Sequence, residues 1–315
     1  MGFISLYQEL ISDIDLPKSE VIHPKSVCFL CGGPVNLGAP APKSMREALL
    51  RHLDDHTRFG RAEILLAERA IEKLPETEFE NLLDFEECIA SIVAAVVLIV
   101  ESPGSICELG AFIKTTEISK KLVTVVQNEH QNRRSFITLG ALKYLSGKYP
   151  NRAHIVYHWS NDANGDLDAA DHVFDGLKAD IPDAIERAHQ RERFNEQELG
   201  HRIYLVLTCC HLLRVAKLGE IKQCFDLVRI SVTETEIRKY LNTLEICGYI
   251  KKVINGLKNT YYVSLVERIP LEIAFKEKVR DDNRNSLRRI QLLVAEIIRE
   301  EPIRLTIFQE HNHAH

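Results

Sequence analysis

A continuous apolar run that ends at an acidic residue constrains the fold of this chain more than any other stretch. The run AAVVLIV covers residues 94–100, and Glu101 follows it directly. A half-exposed strand would alternate apolar and polar residues, whereas this run shows no alternation. It therefore predicts a strand that is buried on both faces, as in a parallel sheet covered by helices.

Segments of strand and helix character alternate around this run. Strand-like segments cover residues 26–33, 94–100, 121–128 and 153–159, and helix-like segments cover residues 44–56, 64–74, 81–92, 104–120 and 134–147. This alternation predicts an α/β domain with a doubly wound, mostly parallel sheet. In such a sheet the ligand binds beyond the carboxyl ends of the strands.

A second domain is predicted in the carboxyl-terminal part of the chain. Residues 161–184 are acidic and rich in turn formers at their start, which is typical of a boundary that leads into a helix near 181–194. Helical segments then precede a two-stranded hairpin that turns at Asn255-Gly256, the order of a winged helix, and two more helices follow. We expect an α/β domain over residues 1–190 and a winged-helix-like domain over residues 195–315.

The overall composition narrows the class of protein. Hydrophobic residues make up 45% and charged residues 27% of the chain, as in ordinary soluble globular proteins. The net charge of -5 excludes a protein that is basic all over, so any nucleic-acid contact needs a local patch. The amino terminus lacks the pattern of a signal peptide, and no apolar run approaches the roughly 20 residues that span a bilayer. We expect a soluble cytoplasmic protein.

The cysteines support the same compartment. Eight of them are spread along the chain without the spacing of a disulfide framework, which favours a reducing cytoplasm. Cys28-x-x-Cys31 resembles half of a redox or zinc site, but no second pair accompanies it. We therefore expect no metal site.

Glu108 has two interpretations. Ser105-Ile106-Cys107-Glu108 fits a capping box, in which the glutamate bonds back to the first amide of a helix. In the same place a carboxylate lies near the positive end of the helix dipole, which favours its ionised form. An ionised carboxylate at the end of a strand can attack an anomeric carbon and form a glycosyl-enzyme intermediate. The residues alone leave both interpretations open.

Residues beside Glu108 could bind a nucleotide. Glu101 could accept hydrogen bonds from sugar hydroxyls, as acids at strand ends do in dinucleotide folds, or it could be a solvated strand end. Ser102, Gly104 and Ser105 could present amides and hydroxyls to a ligand, or they could form a simple tight turn.

Two further segments could contact a phosphate. Cys31-Gly32-Gly33 follows a predicted strand and could cradle a phosphate with its backbone amides, although it is not a complete dinucleotide fingerprint. Arg46 follows the predicted N-cap Ser44 and could meet a phosphate or be an ordinary surface charge.

The predicted recognition helix of the second domain begins with Thr-Glu-Thr-Glu, and its acids would repel phosphates. Basic residues follow that could contact a nucleic-acid backbone: Arg238, Lys239, Lys251, Lys252 and Lys258. Binding to DNA and docking to a protein are equally compatible with this pattern.

Several motifs in one order carry a family resemblance. They are FLCGG, S-x-R at Ser44 and Arg46, VLIVESPGSICELGAF, KKLVTVVQ and RRSFITLGALKYL. Over roughly residues 26–147 the chain resembles the nucleoside deoxyribosyltransferase-like effector of retron anti-phage systems, and ESPGS-x-x-ELGAF is the most specific block. The helix and hairpin pattern that follows fits the two-domain layout of those effectors.

The resemblance implies an N-glycosidase that is toxic because it hydrolyses NAD. Such effectors are held by a reverse transcriptase and its multicopy RNA–DNA product until phage infection. Glu108 of the ELG motif would be the nucleophile, while Glu101, Ser102, Gly104, Ser105 and the Gly32-Gly33 loop would line the nucleotide pocket. NAD or a related nucleotide would be the substrate, and no cofactor is expected. Whether the chain forms a homo-oligomer or a filament stays open.

Two other functions compete with this hypothesis. Nucleoside deoxyribosyltransferases usually carry Asp near the strand end where Glu101 stands, and this difference counts against deoxyribosyl transfer. A deoxyribosyltransferase or a nucleotide hydrolase acting on phage precursors nevertheless remains one alternative. A nucleotide-sensing, DNA-binding regulator without catalysis is the other.

Overall fold

The computed structural model describes residues 3–23, 26–128, 134–150, 155–188, 191–256, 259–276 and 283–312. Within these ranges, none of the helices combines the length and the apolar character that crossing a membrane requires.

The helices occupy both halves of the chain. In chain order they are α1 (Phe3–Ser12), α2 (Met45–His52), α3 (Ala67–Lys73), α4 (Leu82–Ile92), α5 (Pro103–Phe112), α6 (Thr116–Ser119), α7 (Lys143–Lys148), α8 (Asp171–Ala188), α9 (Leu199–Leu213), α10 (Leu218–Leu227), α11 (Glu234–Ile246), α12 (Asn283–Glu300) and α13 (Pro302–Asn312). A π-helical segment, Ile137–Leu142, leads into α7, and Leu16–Lys18 and Leu74–Glu76 are short 3-10 helices.

The strands are short outside one central sheet. In chain order they are β1 (Glu20–Val21), β2 (Val27–Cys31), β3 (Arg58–Phe59), β4 (Ala62–Leu66), β5 (Ala95–Val100), β6 (Leu122–Gln127), β7 (Ile155–Tyr157), β8 (Ser160–Asn161), β9 (Leu167–Asp168), β10 (Glu192–Arg193), β11 (Val215–Ala216), β12 (Ile250–Asn255), β13 (Asn259–Ser264) and β14 (Leu271–Glu272).

The described chain forms two compact units. The sheet unit consists of Ser26–Glu72 and Ile89–Gln190, and the helical unit consists of Met1–Lys25, Lys73–Cys88 and Arg191–His315. The predicted domains, residues 1–190 and 195–315, differ from these units because two early segments pack with the carboxyl-terminal part. Strand pairing explains the first of these segments, since β1 lies between β10 and β14 in a three-stranded sheet.

The sheet unit is built on six strands in the order β3-β4-β2-β5-β6-β7. Only β3 runs antiparallel to its neighbour. Every residue of β2 and β5 is buried, as expected for central strands that are covered on both faces. The predicted mixed α/β class and mostly parallel sheet are therefore confirmed, while the doubly wound and winged-helix assignments stay predictions.

The order of the strands brings three strand ends together beside β2. The chain passes from β2 to β4 on one side and later returns to β5 on the other side, so the direction of winding reverses at β2. The carboxyl ends of β4, β2 and β5 are consequently neighbours, and side chains that follow these strands meet at one edge of the sheet.

The helix predicted over residues 64–74 is wrong in its first three residues. The Ile64–Leu66 part belongs to β4, and α3 begins at Ala67. Leu66 pairs with Leu30 of β2 in a parallel register, and this pairing outweighs the helix propensity of leucine. As a result Glu68 lies just beyond the carboxyl end of a strand.

Residues 161–184 do not form a linker. After the small β8–β9 hairpin, α8 contributes residues at spacings of three and four to the core of the sheet unit, namely Val173, Phe174, Leu177, Ile181 and Ile185. Its acidic side chains lie on the opposite, exposed face. The acidic composition that suggested a boundary is therefore the solvent-exposed face of an amphipathic helix.

The helical unit surrounds α9, whose residues are nearly all buried. Strands β12 and β13 form the predicted hairpin, and β11 adds a third strand beside β13. Gly256 follows β12 with φ +67, a conformation that favours glycine. The predicted order of helices and hairpin, and the two helices at the carboxyl end, are confirmed.

A buried arginine ties α13 into the helical unit. Arg304 donates hydrogen bonds to the Val215 carbonyl (2.7 Å), to Glu301 Oε2 (2.8 Å) and to Glu220 Oε1 (2.5 Å). Its side chain is buried, whereas both carboxylates are partly exposed. Removing the guanidinium would leave the buried Val215 carbonyl without this donor, and Lys217 would remain as a partner of Glu220 and Glu301.

We expect Arg304→Met to lower the free energy of unfolding by about 2–4 kcal/mol, because these acceptors lose a charge-assisted partner. Arg191→Met is the matched control, since Arg191 is exposed and pairs with Glu272 at 3.2 Å on the surface of the same unit. It should cost less than about 1 kcal/mol. Urea unfolding of both variants measures the difference, and equal losses would contradict the structural role of Arg304.

Candidate active site

Glu101 organises the edge of the sheet where β2 and β5 end. Its Oε1 accepts hydrogen bonds from the backbone N–H groups of Gly33 (2.9 Å) and Arg46 (3.1 Å), and its Oε2 accepts one from Met45 (2.5 Å). The alternative of a solvated strand end is therefore wrong. Burial raises the pKa of Glu101, and the three backbone hydrogen bonds and the Arg46 charge oppose that rise.

The loop after β2 is closed around this carboxylate. A Cβ atom on Gly33 would lie 2.7 Å from Ser44 Cβ and 2.9 Å from Glu101 Oε1, so only glycine fits. The backbone N–H of Gly33 was predicted to bind a phosphate, but it donates its hydrogen bond to the Glu101 carboxylate. Cys31 is buried in β2, and Gly32 is half-buried beside it. Substrate contact by this loop stays a prediction.

The predicted capping box of Ser105 and Glu108 is wrong by three residues. Helix α5 begins at Pro103, and Ser102 is its N-cap. Ser102 Oγ accepts from the Ser105 N–H at 3.1 Å, and Ser105 Oγ accepts from the Ser102 N–H at 2.9 Å. Proline favours the first helical position because it needs no amide partner there. Glu108 therefore lies in the second turn and caps nothing.

Both serines of the ESPGS turn serve the helix start. Ser105 Oγ also accepts from the Glu101 N–H at 3.0 Å and donates to the Ser102 carbonyl at 2.9 Å. Ser105 is fully buried, whereas Gly104 is exposed. The turn thus holds β5 and α5 in a fixed relation, and the predicted ligand contacts of Ser102, Gly104 and Ser105 stay predictions.

Arg46 is buried rather than a surface charge. Its side chain leaves α2 toward β2, where one terminal nitrogen donates to the Leu30 carbonyl at 3.1 Å. The other terminal nitrogen forms an ion pair with Glu68 Oε1. An arginine in this position carries a fixed positive charge into the sheet edge, since its guanidinium does not lose its proton in proteins.

Three buried polar atoms at this edge have no hydrogen-bond partner among the described residues. They are Arg46 Nε, Glu68 Oε2 and Glu108 Oε2. Arg46 and Glu68 form an ion pair, and both act electrostatically on Glu108, so the three atoms belong to one cluster. Buried polar groups are normally bonded, and a group of unbonded ones is typical of a site that is completed by a ligand. We call Arg46, Glu68 and Glu108 the acid–arginine cluster.

The pKa of Glu108 is shifted in the direction opposite to the one predicted. Its position in the second turn removes most of the expected help from the helix dipole. Burial raises the pKa of Glu108, the Arg46 guanidinium opposes this rise, and the Glu68 carboxylate adds to it. A glutamate of this kind can act as a nucleophile when ionised or as an acid when protonated.

The sequence did not point to Glu68 as a site residue. The segment around it was predicted to be a helix throughout, which hid the strand end that positions the side chain. The available signal was the run Glu63-Ile64-Leu65-Leu66, whose apolar residues immediately precede Ala67-Glu68. An acid that directly follows an apolar run, here residues 64–67, is the pattern already noted for Glu101 and β5.

Apart from the acid–arginine cluster, a group of side chains in the helical unit has the spacing of a metal site. Among the described residues, ligand atoms of Glu192, Glu198 and His201 in the helical unit lie within 4.8 Å of one another. His201 Nδ1 accepts a hydrogen bond from the Asn195 N–H at 2.9 Å, so a neutral imidazole carries its proton on Nε2. That nitrogen faces Glu198 at 3.4 Å and Glu192 at 3.7 Å. It is oriented as a donor to carboxylates, which does not suit a metal ligand.

The predicted nucleic-acid contacts have unequal surroundings. Arg238 and Lys251 are exposed, whereas Lys239 and Lys252 are half-buried. Lys239 Nζ lies 5.4 Å from the centre of the Phe79 ring, a cation–π contact. Lys258 lies outside the described residues.

Two of these basic residues share one face near Tyr262. Lys252 pairs with Tyr262 across β12 and β13, and Arg238 acts electrostatically on the same tyrosine. Burial raises the pKa of Tyr262, Arg238 opposes the rise, and Glu245 and Glu78 add to it. Acids are therefore interleaved with the basic residues, and the face is not uniformly positive.

Glu101 and Glu108 should respond oppositely to replacement by glutamine. In Glu101→Gln an amide N–H would face a backbone donor, and we expect a loss of about 1–3 kcal/mol in the free energy of unfolding. In Glu108→Gln no bond is lost. Because the pKa of Glu108 is raised on folding, its ionisation opposes folding above pH 4.5, and a neutral glutamine avoids this cost.

Urea unfolding at pH 7 and at pH 4 tests both expectations. Glu108→Gln should match or exceed the natural protein at pH 7, and any gain should shrink at pH 4, where the glutamate is protonated more fully. Equal destabilisation by the two replacements would contradict the separate roles of these acids.

Comparisons with known proteins agree on one family. The family model described as "STM3845 retron effector protein" matches residues 42–252. The Escherichia coli protein named "Retron Ec73 putative ribosyltransferase/DNA-binding protein" is 26% identical over 301 residues, which cover 90% of this chain and 89% of that protein. The Escherichia coli "Retron Ec86 putative ribosyltransferase/DNA-binding protein" is 27% identical over 195 residues, 60% of each chain. The chain belongs to the STM3845 retron effector family.

Proposed function

We propose that this retron effector hydrolyses the N-glycosidic bond of NAD or of a related nucleotide, with Glu108 as the nucleophile. The observation that carries the proposal is the acid–arginine cluster, in which Glu108 offers a buried, unbonded carboxylate oxygen beside a fixed positive charge. The cluster lies at the carboxyl edge of a mostly parallel sheet, where ligands bind in related architectures.

The reaction has two steps. The Glu108 carboxylate attacks the anomeric carbon of the sugar, and the bond to the base breaks with its electron pair leaving on the base nitrogen. Water then attacks the same carbon, which releases the sugar, frees the carboxylate and yields one proton. Nicotinamide in NAD is cationic and departs as a neutral molecule, so the first step needs no proton donor.

The surroundings of Glu108 suit this role. A nucleophile must be ionised, and Arg46 favours the ionised form of Glu108 against the effect of burial. Partial desolvation makes the carboxylate more reactive than it would be in water. Glu101 holds the first turn of α2, from which Arg46 projects, through the amides of Met45 and Arg46. Glu101 is therefore a positioning residue in this mechanism.

The relatives support a reaction at a ribosyl group. Both Escherichia coli proteins carry names that include ribosyltransferase, and hydrolysis is ribosyl transfer to water. The resemblance of the ESPGS-x-x-ELGAF block to deoxyribosyltransferase-like effectors points to the same bond. A true deoxyribosyltransferase would pass the sugar to a second base, and a DNA-binding regulator would turn over nothing.

The helical unit would supply the link to the rest of the retron. We propose that it docks on the retron reverse transcriptase and its multicopy RNA–DNA product, which restrain the glycosidase until phage infection. The same two relatives are named as DNA-binding proteins. We assign this contact to Arg238 and Lys252, which both lie near Tyr262.

Purified protein, free of the reverse transcriptase and its RNA–DNA product, should convert NAD to nicotinamide and ADP-ribose. Glu108→Gln should abolish this turnover while it leaves the fold intact. Glu72→Gln is the control, because Glu72 is exposed on α3 outside the cluster. Chromatography of the released base measures the reaction with NAD, with deoxynucleosides and with deoxynucleosides plus a second base. Full activity of Glu108→Gln, or base exchange without hydrolysis, would overturn the proposal.

Binding to the RNA–DNA product should depend on salt through the basic residues of the helical unit. The double replacement Arg238→Gln with Lys252→Gln should reduce the slope of log affinity against log salt by about one per residue. Lys222→Gln is the control, since Lys222 already pairs with Asp226. An unchanged slope in the double variant would place the nucleic-acid contact elsewhere.

A further inference from the structure

The three unbonded atoms of the acid–arginine cluster define what a ligand must offer. Glu68 Oε2 and Glu108 Oε2 are carboxylate oxygens and act only as acceptors when ionised, so each needs a hydrogen-bond donor. Arg46 Nε is a donor only and needs an acceptor. A ligand that satisfies the cluster therefore brings two donors and one acceptor.

We propose that this cluster recognises the adjacent hydroxyl groups of ribose, with Glu68 and Arg46 as sugar-binding residues, and that the site selects ribose over 2-deoxyribose. Two neighbouring hydroxyls provide two O–H donors and oxygen lone pairs for the guanidinium. The proposal rests on the proposed function for the identity of the reacting sugar, and it adds the substrate class that the site prefers.

The stereochemistry of the reaction places these groups on the correct face of the sugar. In the β-nucleotides the base lies on one face of the ribose ring, and the 2- and 3-hydroxyls lie on the opposite face. A nucleophile that displaces the base in line approaches from the hydroxyl face. Side chains beside Glu108 on that face, here Arg46 and Glu68, consequently meet the hydroxyl groups.

The pair of Arg46 and Glu68 can bind a ligand without leaving its position. The Arg46 side chain is 2% exposed, and its bond to the Leu30 carbonyl anchors the guanidinium. The Glu68 side chain is 42% exposed, so a ligand can approach it from solvent, while its Oε2 atom is covered and unbonded. The ion pair with Arg46 uses Oε1 and leaves Oε2 for the ligand.

A deoxyribose ligand would satisfy the cluster less well. It lacks one O–H group, and one carboxylate oxygen would then stay buried without a donor. A buried acceptor left without its bond weakens binding by about tenfold or more, because the cost of its desolvation is not recovered. Sites built to hydrogen-bond a hydroxyl reject analogues that lack it for the same reason.

The test compares binding of ADP-ribose with that of 2″-deoxy-ADP-ribose by titration calorimetry on the full chain. Neither compound needs turnover, so the measurement is independent of the hydrolysis assay. We expect the natural protein to bind ADP-ribose about tenfold more tightly or better. Glu68→Gln should lose most of this preference, because its amide nitrogen cannot accept a hydroxyl proton.

Two controls make the outcomes distinct. Glu72→Gln, an exposed replacement on the same helix, should keep the full preference, and unfolding curves identify any variant that has lost its fold. Equal binding of the two compounds by the natural protein, or an undiminished preference in Glu68→Gln, would overturn the inference. A clear ribose preference without NAD hydrolysis would support the inference and would reject the proposed reaction.

Discussion

The carboxylate of Glu101 is the interaction on which the site depends. It stands at the end of the most buried strand and accepts hydrogen bonds from three backbone amides, one in the loop after β2 and two in the first turn of α2. These bonds set the angle at which α2 leaves the sheet, and Arg46 projects from that turn. The contact of Arg46 with Glu68, and its field at Glu108, follow from this one acid.

Sequence reasoning recovered the parts of the fold that local patterns determine. The unbroken apolar run of β5 identified a strand buried on both faces, and Ser44 was identified as the N-cap of α2, where it accepts from the Glu47 N–H at 3.0 Å. It failed where the local sequence allows either a helix or a strand and pairing with a neighbouring strand decides between them. Residues 64–66 have helix-forming leucines, yet they lie beside β2 and form β4, and no local signal records that neighbour.

The candidate site was also predicted only where local sequence patterns determine it. Glu101 and Glu108 were both identified from one motif, but their contacts were not. For Glu101 the sequence allowed sugar contact or a solvated strand end, and its carboxylate bonds to three backbone amides. For Glu108 it allowed a helix cap or a nucleophile, and the side chain caps nothing and has an unbonded buried oxygen. Glu68 was missed because its significance depends on the end of β4. The contacts of a carboxylate depend on tertiary packing, which a motif alone does not specify.

The discontinuous make-up of the helical unit affects how the chain acquires its structure during synthesis. β1 lies within the first 21 residues of the chain. The residues that it pairs with are Arg193 and Glu192 on one side and Glu272 and Leu271 on the other, so it cannot pair until these have been made. The sheet unit is complete once residue 190 has emerged, whereas the helical unit must wait for the last third of the chain. Because distant contacts form slowly, a nascent chain would complete the sheet edge that carries Arg46, Glu68 and Glu101 well before its amino-terminal strand finds its partners. The partner that we propose for the helical unit would then find its docking surface only after the last third of the chain has been made.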